Sequence, residues 1–338
     1  MSEIKAPIVI LAPGRAGDII TSEPMFRKAH LQYPDREVIF VTRKEFADIM
    51  EHAPYISKTV ILKNKDEFEP YAAQFPAGTV VLRMNLPSPD GKELPHIYDE
   101  YGSTYSHLQR FQGANSLPLE DDDPVFYLAD DTVLPDGLPE KYVVFHCCSN
   151  GRARQWQPEK FRALALECIS RGIGVVEIGF GGVLDIDDPL YIPLCGNRTM
   201  QELAVTIKHS CALVGVDSSM SHIANSFHVP GFIVQGKIGA VPWYNFYCGM
   251  YARGENLNIL RFYDSHPADM PLEPALYVFR RFLDGKPLSY LECDSFMLRS
   301  QLRYARSKWY NRLVQSIANP LKRVRDSLLF DRRPRRDK

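Results

Sequence analysis

The stretch Val214-Gly215-Val216-Asp217-Ser218-Ser219-Met220-Ser221-His222-Ile223-Ala224-Asn225 decides the fold. The apolar run Ala212 to Val216 reads as a buried strand, and Asp217-Ser218-Ser219 opens a short helix. The next strand starts near Gly231. A strand that passes through small polar residues into a helix leaves backbone N–H groups unpaired at the helix start. That end also carries partial positive charge, so it suits a phosphate. Outward from this stretch, Gly14-Arg15-Ala16-Gly17-Asp18 repeats the arrangement after the first strand. Two such turns, one in each half, predict a cleft between two α/β domains with a nucleotide-linked ligand inside.

The length of 338 residues suffices for two domains with full cores. A hydrophobic content of 45% excludes wholesale disorder. No apolar run reaches the ~18 residues of a membrane span. Met1 to Pro7 lacks the layout of a signal peptide, so a cytoplasmic location is expected. The seven cysteines form no C-x-x-C pair and read as reduced structural thiols, the adjacent Cys147 and Cys148 included. The net charge of −1 hides an asymmetry. Residues 299–338 hold 13 of the 40 Lys and Arg but 3 of the 41 Asp and Glu. The body is therefore acidic and the tail basic, which points to an anionic partner for the tail.

Strands and helices alternate along both halves, which predicts right-handed crossovers and parallel sheets. In the first half, strands are expected at Ile8 to Ala12, Val38 to Thr42, Thr59 to Leu62 and Thr79 to Arg83. Helices are expected at Asp18 to Tyr33, Lys44 to His52 and Ile97 to Phe111. Leu117 to Pro139, crowded with Pro and Asp, reads as the linker, with one short strand at Val125 to Leu128. In the second half, strands are expected at Tyr142 to His146, Gly174 to Ile178, Cys211 to Val216 and Gly231 to Gln235. Helices are expected at Pro158 to Arg171, Met200 to His209, Ser219 to Phe227 and Pro271 to Leu283. Beyond Ser289, aromatic and aliphatic residues interleave with Arg and Lys in an amphipathic pattern, broken at Pro320. The domains expected are 1–135, 140–288 and a helix with basic tail at 289–338.

Three segments carry candidate chemistry. In the first, Gly17 allows a close approach of backbone to ligand, and Asp18 either caps its helix or faces the cleft as a general base. In the second, Ser149-Asn150-Gly151-Arg152-Ala153-Arg154-Gln155-Trp156-Gln157-Pro158, Arg152 and Arg154 either neutralise a diphosphate or are solvated surface cations. Trp156 reads as a packing residue, and His146, at a strand end near the same cleft, as structural. In the third, Ser218 and Ser219 offer hydroxyls and N–H groups to a phosphate. Asp217 could cap the helix, and His222 sits one turn in as either an anion ligand or a satisfied structural histidine. The H-E-x-x-H and EF-hand metal spacings, a Walker A sequence, the G-x-G-x-x-G fingerprint and G-x-S-x-G are absent from the sequence.

Taken together and in order, these segments resemble the heptosyltransferase family, bacterial glycosyltransferases of lipopolysaccharide core assembly with a GT-B fold. Gly17-Asp18-Ile19-Ile20-Thr21-Ser22-Glu23-Pro24 is similar to the family's G-D-x-[hydrophobic]-x-[ST]-x-P turn. Arg154-Gln155-Trp156-Gln157-Pro158 resembles its K-x-W-P, with Arg for Lys and one extra residue. Gly215 to Ala224 resembles G-x-D-[ST]-G-x-x-H-x-A, with Ser219 in place of Gly. The likeness runs over roughly residues 7 to 285. Two features depart from it: the aromatic segment Lys237 to Arg253 and the basic tail.

The resemblance implies an inverting, metal-independent transfer from a nucleoside-diphosphate sugar such as ADP-heptose, with no cofactor, to a lipopolysaccharide or other glycan acceptor. Asp18 would match the general base and Arg154 the phosphate-binding cation. Asp217, Ser218, Ser219 and His222 would match the donor-binding segment, and Gly17 and Arg152 flank these positions. The tail suits an anionic membrane surface at the cytoplasmic face better than nucleic acid, because no recognition fold accompanies its charge. A competing reading is a non-catalytic sugar-nucleotide-binding protein on the same scaffold; Ser219 supports it, and Asp18 and Arg154 oppose it. A nucleotide-sugar epimerase shares only the architecture.

Overall fold

The computed structural model describes residues 5–84, 122–149, 154–235, 247–261 and 271–289, and residues 292, 293, 296, 297, 299, 300 and 306. The helix expected at Ile97 to Phe111 lies outside them.

The first sheet is built from β1 (Ile8–Ala12), β2 (Val38–Thr42), β3 (Lys58–Ile61) and β4 (Val80–Arg83) in the order β3-β2-β1-β4. The second is built from β5 (Tyr142–His146), β6 (Gly174–Gly179), β7 (Tyr191–Cys195), β8 (Ala212–Val216), β9 (Gly231–Gln235) and β10 (Leu257–Arg261). Its order is β10-β9-β8-β5-β6-β7. Every pairing is parallel. β1, β2, β8 and β9 are buried at all five positions, as befits parallel strands covered on both faces. The strand order reverses between β1 and β4 and again between β5 and β8. Open α/β sheets take their ligands in the crevice beyond the strand ends at such a reversal.

The helices are α1 (Ala16–Gln32), α2 (Phe68–Ala72), α3 (Pro158–Ile169), α4 (Met200–Lys208), α5 (Ser219–Ser226), α6 (Gly249–Ala252) and α7 (Leu272–Leu283). Lys44–Ile49 forms a 3₁₀ turn where an α-helix was expected. The strands β7 and β10 carry no clear signal in the sequence. β7 lies at a sheet edge, mixes buried and exposed positions and contains Pro193, which an edge tolerates.

Residues 125–128 form no strand, contrary to the sequence expectation. Their backbone groups are taken instead by side chains. Val125 N–H donates to Glu23 Oε2 at 2.9 Å, Gln201 Nε2 donates to Tyr127 O at 3.3 Å, and Ala129 N–H donates to Gln201 Oε1 at 3.0 Å. Glu23 is fully buried in α1 and also accepts from Arg27, Tyr55 and Tyr127. Burial pushes its carboxyl above the usual range, against the pull of Arg27. One buried carboxylate thus lashes the connecting segment to the first helix.

The two sheets share one apolar core. It runs from Ile8, Ile10 and Phe40 through Ile20 of α1 and Ile223 and Ala224 of α5 to Val144 and Ile233. Asp48 strengthens the joint: its Oδ2 accepts Met200 N–H at the start of α4, and its carbonyl accepts Gln201 Nε2 at 3.0 Å. Beyond 289, Cys293 and Met297 are buried in the outer core of the second sheet, and Phe296 lies 5.0 Å from Tyr277 of α7.

Candidate active site where two helix starts meet

Both helices that follow the β1 and β8 turns begin at the joint, and their first turns touch. A Cβ placed on Gly17 would lie 3.7 Å from Ser219 Cα and 2.9 Å from His222 Cδ2. Gly17 is therefore glycine because the His222 ring occupies the space a side chain would need.

Thr21, one turn after Gly17, binds His222 across the joint at 3.0 Å, Oγ1 to Nδ1. The Thr21 hydroxyl donates its single proton to Gly17 O at 2.8 Å. The hydrogen-bond pattern therefore assigns the proton of the shared bond to His222 Nδ1. The ring packs against Tyr247, 4.9 Å away. His222 is thus a ligand of the first domain's helix; its position was expected, this partner was not.

Asp18 is the third residue of α1, and Arg15 is the N-cap. Arg15 N–H donates to Asp18 Oδ2 at 3.2 Å, so the carboxylate does cap the helix. It is also half-buried and close enough to Asp217 to act on its titration.

Asp217 is 2% exposed and does not cap α5; Ser218 is the N-cap. Asp217 Oδ1 accepts from the Tyr247 hydroxyl at 3.3 Å, and Oδ2 lies 3.8 Å from Arg154 Nη1. Burial pushes the Asp217 carboxyl up, Arg154 and Tyr247 pull it down, and the charge of Asp18 adds to the rise. Arg154 also donates to Asp217 O at 3.3 Å. That contact holds the guanidinium, about a third exposed, beside the start of α5. Arg152 lies outside the described residues.

Ser218 turns its hydroxyl to His146 Nδ1 at 2.9 Å. Burial drives His146 down to about 4, so at neutral pH the ring is uncharged. The register His146↔Gly215 brings the two together, and Gly215 leaves room for the β5 backbone. Sequence reasoning read His146 as structural and gave Thr21 no role. Each had a weak signal: a strand-end histidine, and a hydroxyl four residues from a glycine. Tyr247 and Tyr251, from the aromatic segment, are buried, and 236–246 lie outside the described residues. Trp156 is the packing residue expected, 2% exposed and edge-on to Phe161.

Arg154 and the start of α5 thus meet at Asp217, and Asp18 of α1 lies near enough to act on the same carboxyl. Among the described residues no group of His, Cys, Asp or Glu is placed to hold a metal.

Residues 105–234 match the family model for glycosyltransferase family 9 (heptosyltransferase). This span includes Arg154 and the Asp217–His222 stretch but not Asp18. No curated protein sequence matches the chain. Among solved structures, ADP-heptose lipopolysaccharide heptosyltransferase II of E. coli is similar over 87% of this chain and 99% of its own, at 14% identity and a TM-score of 0.60. The E. coli heptosyltransferase WaaC, solved with ADP-2-deoxy-2-fluoro heptose, is similar over 82% and 99%, at 15% identity and 0.58. A family 9 glycosyltransferase of Veillonella parvula is similar over 88% and 99%, at 14% and 0.58. Residues 105–234 thus carry the family's segment, and the chain has the GT-B fold of these heptosyltransferase structures.

Proposed function

We propose that this enzyme transfers a sugar, with inversion and without a metal ion, from a nucleoside-diphosphate donor of the ADP-heptose kind. The acceptor is a lipopolysaccharide or another glycan. Asp18 takes the proton of the acceptor hydroxyl, and the oxygen attacks the anomeric carbon from the face opposite the nucleotide. The bond from that carbon to the phosphate oxygen breaks. The released diphosphate is stabilised by Arg154 and by the N–H groups at the start of α5. The carrying observation is geometric: Arg154 Nη1 lies 3.8 Å from Asp217 Oδ2 beside the start of α5, and Gly17, the residue before Asp18, abuts Ser219 and His222 of that same helix. This supports a base and a leaving-group cation acting on one ligand.

The basic tail at 299–338 holds the enzyme on the anionic cytoplasmic face of the membrane, where a glycolipid acceptor is found. Among the described residues no helix is long and apolar enough to cross a membrane.

The test of the chemistry is Asp18→Asn. The amide still accepts the Arg15 N–H, so the helix cap survives. Release of nucleoside diphosphate in the presence of acceptor falls on the order of 10²-fold or more, as loss of a general base requires. Near-normal turnover by folded Asp18→Asn would remove the mechanism.

A further inference from the structure

Phe180 is the most exposed of the large apolar side chains among the described residues, at 89%. It directly follows β6, at the carboxyl end of a parallel strand, on the rim where such sheets take ligands. The loop it rides on is fixed. Gly179 turns the chain out of the strand with φ 136°. Glu177, buried in β6, accepts Val183 N–H at 2.8 Å, Leu184 N–H at 3.3 Å and the Tyr191 hydroxyl at 2.5 Å. Gly182 lies against that carboxylate, where a Cβ would be 3.3 Å from Oε2. A buried carboxylate is strongly unfavourable unless its bonds are made. Here all three bonds hold the base of a loop that displays an aromatic ring to water.

The ring's position relative to the anion site follows from the sheet. A Cβ on Gly179 would touch His146 Cδ2 at 3.6 Å, and His146 binds Ser218 at the start of α5. β6 lies two strands from β8, past β5. At about 4.8 Å per strand, the rim at Phe180 is roughly 10 Å from the helix start. That separation suits the two ends of a nucleoside diphosphate, phosphates at one and base at the other.

We propose that Phe180 is the platform on which the nucleobase of the donor stacks. The proposal rests on the donor reading given above and adds the group that holds the base. Glu177 has already ordered the base of the loop, so less backbone entropy is lost on binding.

Calorimetric titration of the full chain with ADP, UDP and inorganic pyrophosphate tests it. Phe180→Ala does not threaten the fold, since the side chain is exposed. It weakens ADP binding about tenfold, the scale of one lost base–aromatic stack. It weakens UDP less, because the smaller base covers less of the ring, and it leaves pyrophosphate binding as in the wild type. Phe180→Trp restores ADP binding. Wild-type affinity of Phe180→Ala for ADP, or equal weakening for pyrophosphate, overturns the stacking role. A wild-type chain that binds neither ADP nor pyrophosphate overturns the donor site itself, a different failure.

Discussion

Gly17→Ala isolates the contact on which the joint depends. Gly17 lies in the helical turn of α1 and has no positive φ, so alanine fits its backbone. What alanine lacks is space. Its Cβ would stand 2.9 Å from His222 Cδ2 and 3.2 Å from Nε2, inside the ~3.5–4.0 Å at which carbon contacts are favourable. His222 is 6% exposed, held by Thr21 on one side and by the Tyr247 ring on another, so it cannot swing away freely. Overpacking of this size costs about 1–3 kcal/mol. Losing the Thr21–His222 bond adds about 1 kcal/mol. Replacing a helical glycine returns about 1 kcal/mol. The net loss, about 1–3 kcal/mol, lowers the melting temperature by several degrees at about 2–4 °C per kcal/mol.

Activity responds far more. Asp18 is the next residue, and a misplacement of ~1 Å can cost on the order of 10² in rate. The expected result is therefore a folded variant, with unchanged far-UV circular dichroism and a slightly lower melting temperature, whose kcat/KM falls about 10²-fold. The assay is nucleotide release with donor and acceptor, alongside a thermal melt. Gly17→Ala combined with His222→Ala recovers the lost stability in part, because the colliding ring is gone. Wild-type melting and turnover in Gly17→Ala would show that the two helix starts do not abut.

Asp217 carries a pH signature. Its native carboxyl titrates above the unfolded value, chiefly through burial, so the native state binds the proton more readily. Wild-type stability therefore falls as pH rises through that window, whereas Asp217→Asn has no such slope. The variant melts higher at about pH 7, and its advantage shrinks towards about pH 4; an advantage that grows on acidification would refute the assignment. For the tail, truncation after Leu302 reduces co-sedimentation with anionic vesicles at low salt, since it removes most of the Lys and Arg of 299–338. Unchanged sedimentation of the truncated chain would exclude the membrane role.

Much of the architecture is legible in the chain because it is local. Five-residue apolar runs such as Ile8–Ala12 and Ala212–Val216 are continuous only in strands buried on both faces, and they declare parallel sheets by themselves. The turns at Gly14–Asp18 and Asp217–Ser219 declare helix starts. Elements stabilised from afar were missed. β7 and β10 are the two edges of the second sheet and form by pairing with β6 and β9, not by their own pattern. Val125 to Leu128 has a strand's composition, yet Glu23, 102 residues away from Val125, takes its hydrogen bonds.

The site divides in the same way. Residue types and spacing raised Asp18, Arg152, Arg154, Ser218, Ser219 and His222 as candidates, most of them beside a structural alternative, because carboxylates, guanidinium groups and helix starts are chemically distinctive over a few residues. That His222 belongs to Thr21, Ser218 to His146, and Gly17 to the backbone of Ser219 was settled only by the packing of the two sheets. Thr21 and His222 are 201 positions apart, and no local pattern encodes a bond across that distance. The side chains state their chemistry, but a shared apolar core had to bring them within reach of one another.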